Sequence, residues 1–84
     1  MEAEQEKKWI SGMLSVSSSN LSEIGHQENF GPKNEPVLRV KFKRGDTYEY
    51  WPVTKTEYLE GLRAESVTDW FNSKIKSKQY KKVE

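Results

Sequence analysis

Four cations crowd into six positions of this sequence, Arg39, Lys41, Lys43 and Arg44, with Trp51 close behind. In an extended strand Arg39, Lys41 and Lys43 project from one side about 6.5–7 Å apart, close to the phosphate repeat of an extended single strand. A ring set among cations is what stacking on a base requires, so these residues are candidates for holding nucleic acid, RNA above all. A second basic strip follows at Lys74, Lys76, Lys78, Lys81 and Lys82 around Tyr80; Lys74 and Lys78 are its candidate contacts. The simpler account of that strip is a solvated helix face. A net charge of +1 and a pI of 7.9 lie below the pI of about 9 typical of dedicated nucleic-acid binders. The competing use of the apolar residues is docking on another protein, for which Trp9, Ile10, Phe30 and Trp51 are candidates.

Catalytic chemistry finds little to work with. His26 is the only histidine and there is no cysteine, so neither a metal site nor an acid–base constellation has converging groups. Ser17, Ser18 and Ser19 sit in no G-x-S-x-G elbow and no S-x-x-K pair, and read as turn or capping residues. The five glycines are scattered, without a phosphate-binding or dinucleotide fingerprint. The expectation is a non-enzymatic protein without metal or cofactor.

The elements that position these residues have to be built from few aliphatics. Hydrophobic residues are 33% of the chain and mean hydropathy is −0.96, but aromatics reach 12%, and each ring can bury about 150–250 Å². With 84 residues the chain makes one domain. It has no run of apolar residues long enough to cross a membrane and no secretory leader pattern, and this reads as a soluble, cytoplasmic protein.

Residues 42–51, FKRGDTYEYW, form a β-hairpin in this reading, because apolar and polar positions alternate on both sides of a glycine turn. With Lys43, Arg44 and Gly45 as a three-residue loop and Gly45 left-handed, Phe42 faces Asp46, Val40 faces Tyr48 and Leu38 faces Tyr50. Leu38, Val40, Phe42, Tyr48 and Tyr50 then share an apolar face, and Arg39, Lys41, Glu49 and Trp51 a charged one. Tyr48 and Tyr50 are expected to be more buried than Glu49 and Trp51. The competing readings are stacking tyrosines, and a Trp51 packed beneath the N-terminal arm or the loop over 27–36.

Two short strands are predicted over 13–17 and 21–26, with a loop over 27–36. Residues 1–12 read as an arm, mobile over 1–8, preceding a single domain over 13–84. After the hairpin, Thr54 with Glu57 forms a capping box with Val53 stapled onto Tyr58, predicting a helix over 54–64. Gly61 within it calls for a close packing neighbour. Ser66 with Asp69 opens a second helix over 66–78, with Val67, Trp70, Phe71 and Ile75 on one face. Tyr80 and Val83 either return as a last short strand or fray. The architecture expected is α+β: a small antiparallel sheet over 13–53 with both helices packed on its apolar face.

The run Val16-Ser17-Ser18-Ser19-Asn20-Leu21, Ile24-Gly25, the VLRVKFKRG strand and turn, Tyr48-Glu49-Tyr50, Val53 and Tyr58 recur in order with Ala64, Ser66, Phe71, Asn72 and Ile75. In this order and spacing the chain resembles the KTSC domain, found at the C-terminus of some lysyl-tRNA synthetases and as a small stand-alone protein in bacteria and phages. The resemblance spans Met13 to Tyr80 and implies the same small fold with a lean toward RNA binding. The sequence departs from the family at His26, where tyrosine is usual, and at Thr68, where glycine is usual.

Overall fold

The computed structural model describes residues 8–83. The mobile arm expected over 1–8 falls, apart from Lys8, outside the described residues. Five antiparallel strands form one sheet in the order of the chain: β1 (Leu14–Ser15), β2 (Leu21–Gln27), β3 (Val37–Phe42), β4 (Thr47–Trp51) and β5 (Gln79–Lys82). Between β4 and β5 lie α1 (Lys55–Arg63) and α2 (Val67–Trp70), the latter running into a π-helical turn over Phe71–Ile75. The fold is the small α+β architecture expected, and no helix among the described residues is long and apolar enough to cross a membrane.

The β3–β4 hairpin takes the predicted register. Phe42 N–H donates to Asp46 O at 2.8 Å and Gly45 N–H to Phe42 O at 2.9 Å, while Gly45 adopts φ +110°. Leu38 pairs with Tyr50 and Val40 with Tyr48. In β2, Leu21 and Ile24 are both fully buried although three residues apart, which a regular period-2 strand cannot achieve. A register shift between Leu21 and Glu23 resolves this, and Ile24 continues opposite Val40. The loop over 28–36 closes on itself through Glu35, whose carbonyl accepts from Phe30 and Gly31 N–H at 3.1 and 2.9 Å. The tail does return as a strand, with Tyr80 opposite Tyr50.

Both helices start where their caps predict. Glu57 N–H donates to Thr54 Oγ1 at 3.1 Å and Thr54 N–H to Glu57 Oε1 at 2.9 Å; Asp69 N–H donates to Ser66 Oγ at 3.1 Å. The helices pack with Gly61 against Trp70: a Cβ on Gly61 would stand 2.5 Å from Trp70 Cζ2, so no side chain fits. The second helix is shorter than predicted. After Trp70 the ladder widens to a π turn, with Lys76 N–H bonded to Phe71 O at 2.9 Å, a local widening that apolar spacing alone does not reveal. Ile24, Leu38, Val40, Val53 and Ile75 form the fully buried centre between helices and sheet.

The strand parity holds, but the burial inferred from it is corrected. Glu49 is 2% exposed and Trp51 8%, as buried as Tyr50 and more so than Tyr48. The cause is a cover on the second face of the sheet. Residues 8–13 cross it: Gln27 Oε1 accepts from Ile10 and Ser11 N–H at 2.8 and 3.0 Å, and Gln27 Nε2 donates to Lys8 O at 2.9 Å. Trp9 lies edge-on to Phe30 with ring centroids 5.2 Å apart, and the Arg39 guanidinium sits 4.5 Å from its ring centroid. Gly25 makes this crossing possible, because a Cβ there would meet Gly12 O and Met13 Sδ at 2.7 Å. With residues 8–13 across this face, Trp51 is buried rather than set on an open charged surface.

Candidate functional site

Each candidate named from the sequence has a defined place. Arg39 lies beneath Trp9 and donates through Nε and Nη2 to Glu49 Oε2 at 3.0 and 2.5 Å, so its charge neutralises a buried carboxylate. Lys41 is exposed on that same second face, opposite Thr47 in the last pair before the turn. Lys43 and Arg44 occupy the tip; Arg44 contacts Asp46 at 2.5 Å and lies 5.3 Å from the Phe42 ring centroid. Lys74 approaches Glu60 at 3.6 Å and Lys78 approaches Glu57 at 3.4 Å. Arg39, Lys41, Lys43 and Trp51 therefore do not form one open strip: Arg39 is held by an internal ion pair and the Trp51 ring is buried.

The docking candidates differ in exposure. Trp9 and Phe30 pack on each other, Trp51 is buried, and Ile10 alone stands open, at 84% exposure. His26 is occupied as well, with Nε2 bonded to Val53 O at 2.6 Å and its ring stacked on Tyr58. Ser18 Oγ accepts from Asn20 and Leu21 N–H, both at 3.2 Å, and bonds Thr68 Oγ1 at 2.5 Å, the work of a turn-capping serine. Among the described residues no group of three His, Asp or Glu side chains converges as metal ligands would.

What the fold does bring together is an aromatic groove on the helix side of the sheet, beside β5. The cavity, of about 390 Å³, lies between the hairpin, the Asn20 turn, the π turn and the last strand. Alternation along β4 places Tyr48 and Tyr50 there, cross-strand pairing brings Tyr80 beside Tyr50, and the π turn contributes Phe71 and Asn72. Phe71 meets Tyr50 edge-on at 5.2 Å and Phe42 at 5.7 Å, which fixes the floor. Tyr80 rests on Tyr48 and Tyr50 at 6.0 and 5.7 Å and stays 59% exposed. It is an open ring on a rigid aromatic base.

Polar groups rim these rings. Asn20 and Asn72 line the groove, and neither side-chain amide has a hydrogen-bond partner among the described residues. Arg44 and Lys76 bring positive charge to the same rim. The Asp46 carboxylate bonded to Arg44 is held below the usual range, and the guanidinium is raised in turn, so this pair stays ionised. Lys82 stands 3.7 Å from Asp46 and adds a further cation. Burial, with Tyr48 and Tyr80 adjacent, pushes the Tyr50 phenol up, which keeps it a neutral donor at neutral pH.

The groove can thus stack a planar ring, offer amides to its edge and attract an anion. Asn20 and Asn72 are not marked for binding by the sequence, whereas Tyr48 enters as the competing stacking reading and Lys76 and Tyr80 within the second basic strip. Parity did place Tyr48 with Phe42, and Tyr80 stood out inside the basic tail. The convergence of a turn, a π turn and a returning strand has no local signal.

Comparison with known proteins bears on the fold and the family. The chain is similar to the crystal structure of a KTSC domain protein from Yersinia pestis, with a TM-score of 0.73 and 25% identity over 88% of this chain and 99% of that one. No curated protein matches the sequence. The family model for the KTSC domain matches residues 17–80, which include the Asn20 turn, both groove tyrosines of β4, the π turn and Tyr80. The chain belongs to the KTSC domain family.

Proposed function

We propose that this protein is a non-enzymatic cytoplasmic binding module that takes single-stranded nucleic acid, RNA in the first instance, with a base seated in the aromatic groove. The observation that carries this reading is the open Tyr80 ring beside unpartnered Asn20 and Asn72 amides, with Arg44 and Lys76 on the same rim. Stacking supplies about 1–3 kcal/mol per base without sequence preference, and the cations supply the salt-dependent share. Asparagine amides are well suited to a base edge, because they present a donor and an acceptor side by side. The non-enzymatic reading rests on His26, whose Nε2 is bonded to Val53 O, and on Ser18, whose hydroxyl holds the turn and Thr68. A cysteine-free sequence is consistent with a reducing compartment.

The test is a titration of labelled single-stranded RNA with tens of micromolar protein, at about 50 and 200 mM salt. Binding should appear at low salt and weaken as salt rises. Tyr80→Ala should remove about 1–3 kcal/mol with the salt slope kept, and Lys76→Glu should weaken binding and flatten the slope. If no binding appears at low salt, or if Tyr80→Ala binds as wild type does, the reading is wrong. Docking on a protein remains the alternative; it has Ile10 as its open candidate, and binding there would be insensitive to salt.

A further inference from the structure

Resting on that reading, we infer that the site extends past the groove and takes at least two consecutive nucleotides, the second phosphate lying over Lys43 and the hydroxyl of Ser17. The groove does not end at Arg44. A depression of about 360 Å³ shares its Asn20, Phe42 and Arg44 wall and continues to Ser19 and Lys43. There it opens onto a shelf bounded by residues 15–19 and Lys43. The two sides of this path are fixed to each other, since Lys43 N–H donates to Asn20 O at 2.9 Å and ties the hairpin tip to the serine turn.

The chemistry of the extension is that of an anion site. No carboxylate lines either the depression or the shelf. Arg44 spends part of its charge on Asp46, whereas Lys43 is exposed and makes no ion pair among the described residues. Ser18 is committed to Thr68 and the turn, while the Ser17 hydroxyl beside it is exposed and has no partner among the described residues. The groove itself stands near the lower end of small-ligand sites, about 300–1,000 Å³, so it seats one nucleotide and the next must lie outside it. The acid-free path past Lys43 is suited to a phosphate.

The experiment compares a mononucleotide with a trinucleotide of the same base on wild type, Lys43→Glu and Lys33→Glu. Lys33 lies in the loop at the other end of the sheet and controls for net charge. We expect the trinucleotide to bind wild type about tenfold more tightly at low salt, with a salt slope steeper by about 0.7 per added phosphate contact. Lys43→Glu should bring that ratio close to one, and Lys33→Glu should keep it. Equal affinities on wild type, or an undiminished ratio in Lys43→Glu, overturn the extension and leave the base seat standing. Failure of both ligands to bind wild type overturns the base seat and the extension together.

Discussion

Replacing Arg39 by methionine separates a structural cation from a binding one. Glu49 Oε2 takes both donors of Arg39 and the glutamate is 2% exposed, so the variant strands a carboxylate on the covered face. Breaking a buried pair from one side costs about 3–5 kcal/mol. Here the arginine side chain is 25% exposed and water reaches the pair, which lowers the expectation to about 2–4 kcal/mol. The deficit against wild type should therefore be about 2–4 kcal/mol at pH 7. Urea unfolding measures it through the midpoint at shared slope. In a domain stable by about 5–10 kcal/mol the shift is large. Glu49→Gln removes the charge and should cost only about 1 kcal/mol. An Arg39→Met deficit below about 1 kcal/mol, no larger than that of Glu49→Gln, contradicts a buried ion pair at this position.

Gly61→Ala ordinarily strengthens a helix by about 1 kcal/mol, but Trp70 occupies the space its methyl would need, so the sign should reverse to a loss of about 1–3 kcal/mol; a raised melting temperature would contradict this. Phe71→Ala should cost about 3–5 kcal/mol, because the ring packs edge-on against Phe42 and Tyr50, and a melt close to wild type would count against that packing. At the start of α1, burial alone would raise the Glu57 carboxyl, but the Thr54 N–H and Lys78 outweigh it and hold the group below the usual range. Its small contribution, under about 1 kcal/mol at such an exposed site, is present at neutral pH and lost as pH falls through the lowered value. An NMR titration of Glu57 with a midpoint at or above the ordinary one would refute it.

The parts of the fold that were legible are those set by neighbours in sequence. Gly45 permits one loop geometry, which fixes the Tyr48 and Tyr50 register, and Thr54 and Ser66 start helices because each has an N–H three residues on to accept. What was not legible depends on distant contacts. Alternation along β3 and β4 separates two faces but cannot tell how many are covered, and Trp9 covers the second from thirty positions before Arg39. Gly25 carried that information, since a glycine inside a strand marks a close approach of backbone. The site suffered likewise: cations were read from spacing along one strand, while Arg39 answers to Glu49 across the pair, and the groove draws on segments from Asn20 to Tyr80. The same convergence leaves Tyr80 an open ring while Trp51 is buried.

The most direct test of that placement is a two-dimensional amide NMR titration of the protein with a short single-stranded oligoribonucleotide at low salt. A base seated in the groove should give saturable shifts clustered at Asn20, Tyr48, Asn72 and Tyr80, with little change on the opposite face. Shifts confined to Met13, Glu23 and Lys41 on that opposite face, or no shifts at all, would contradict it.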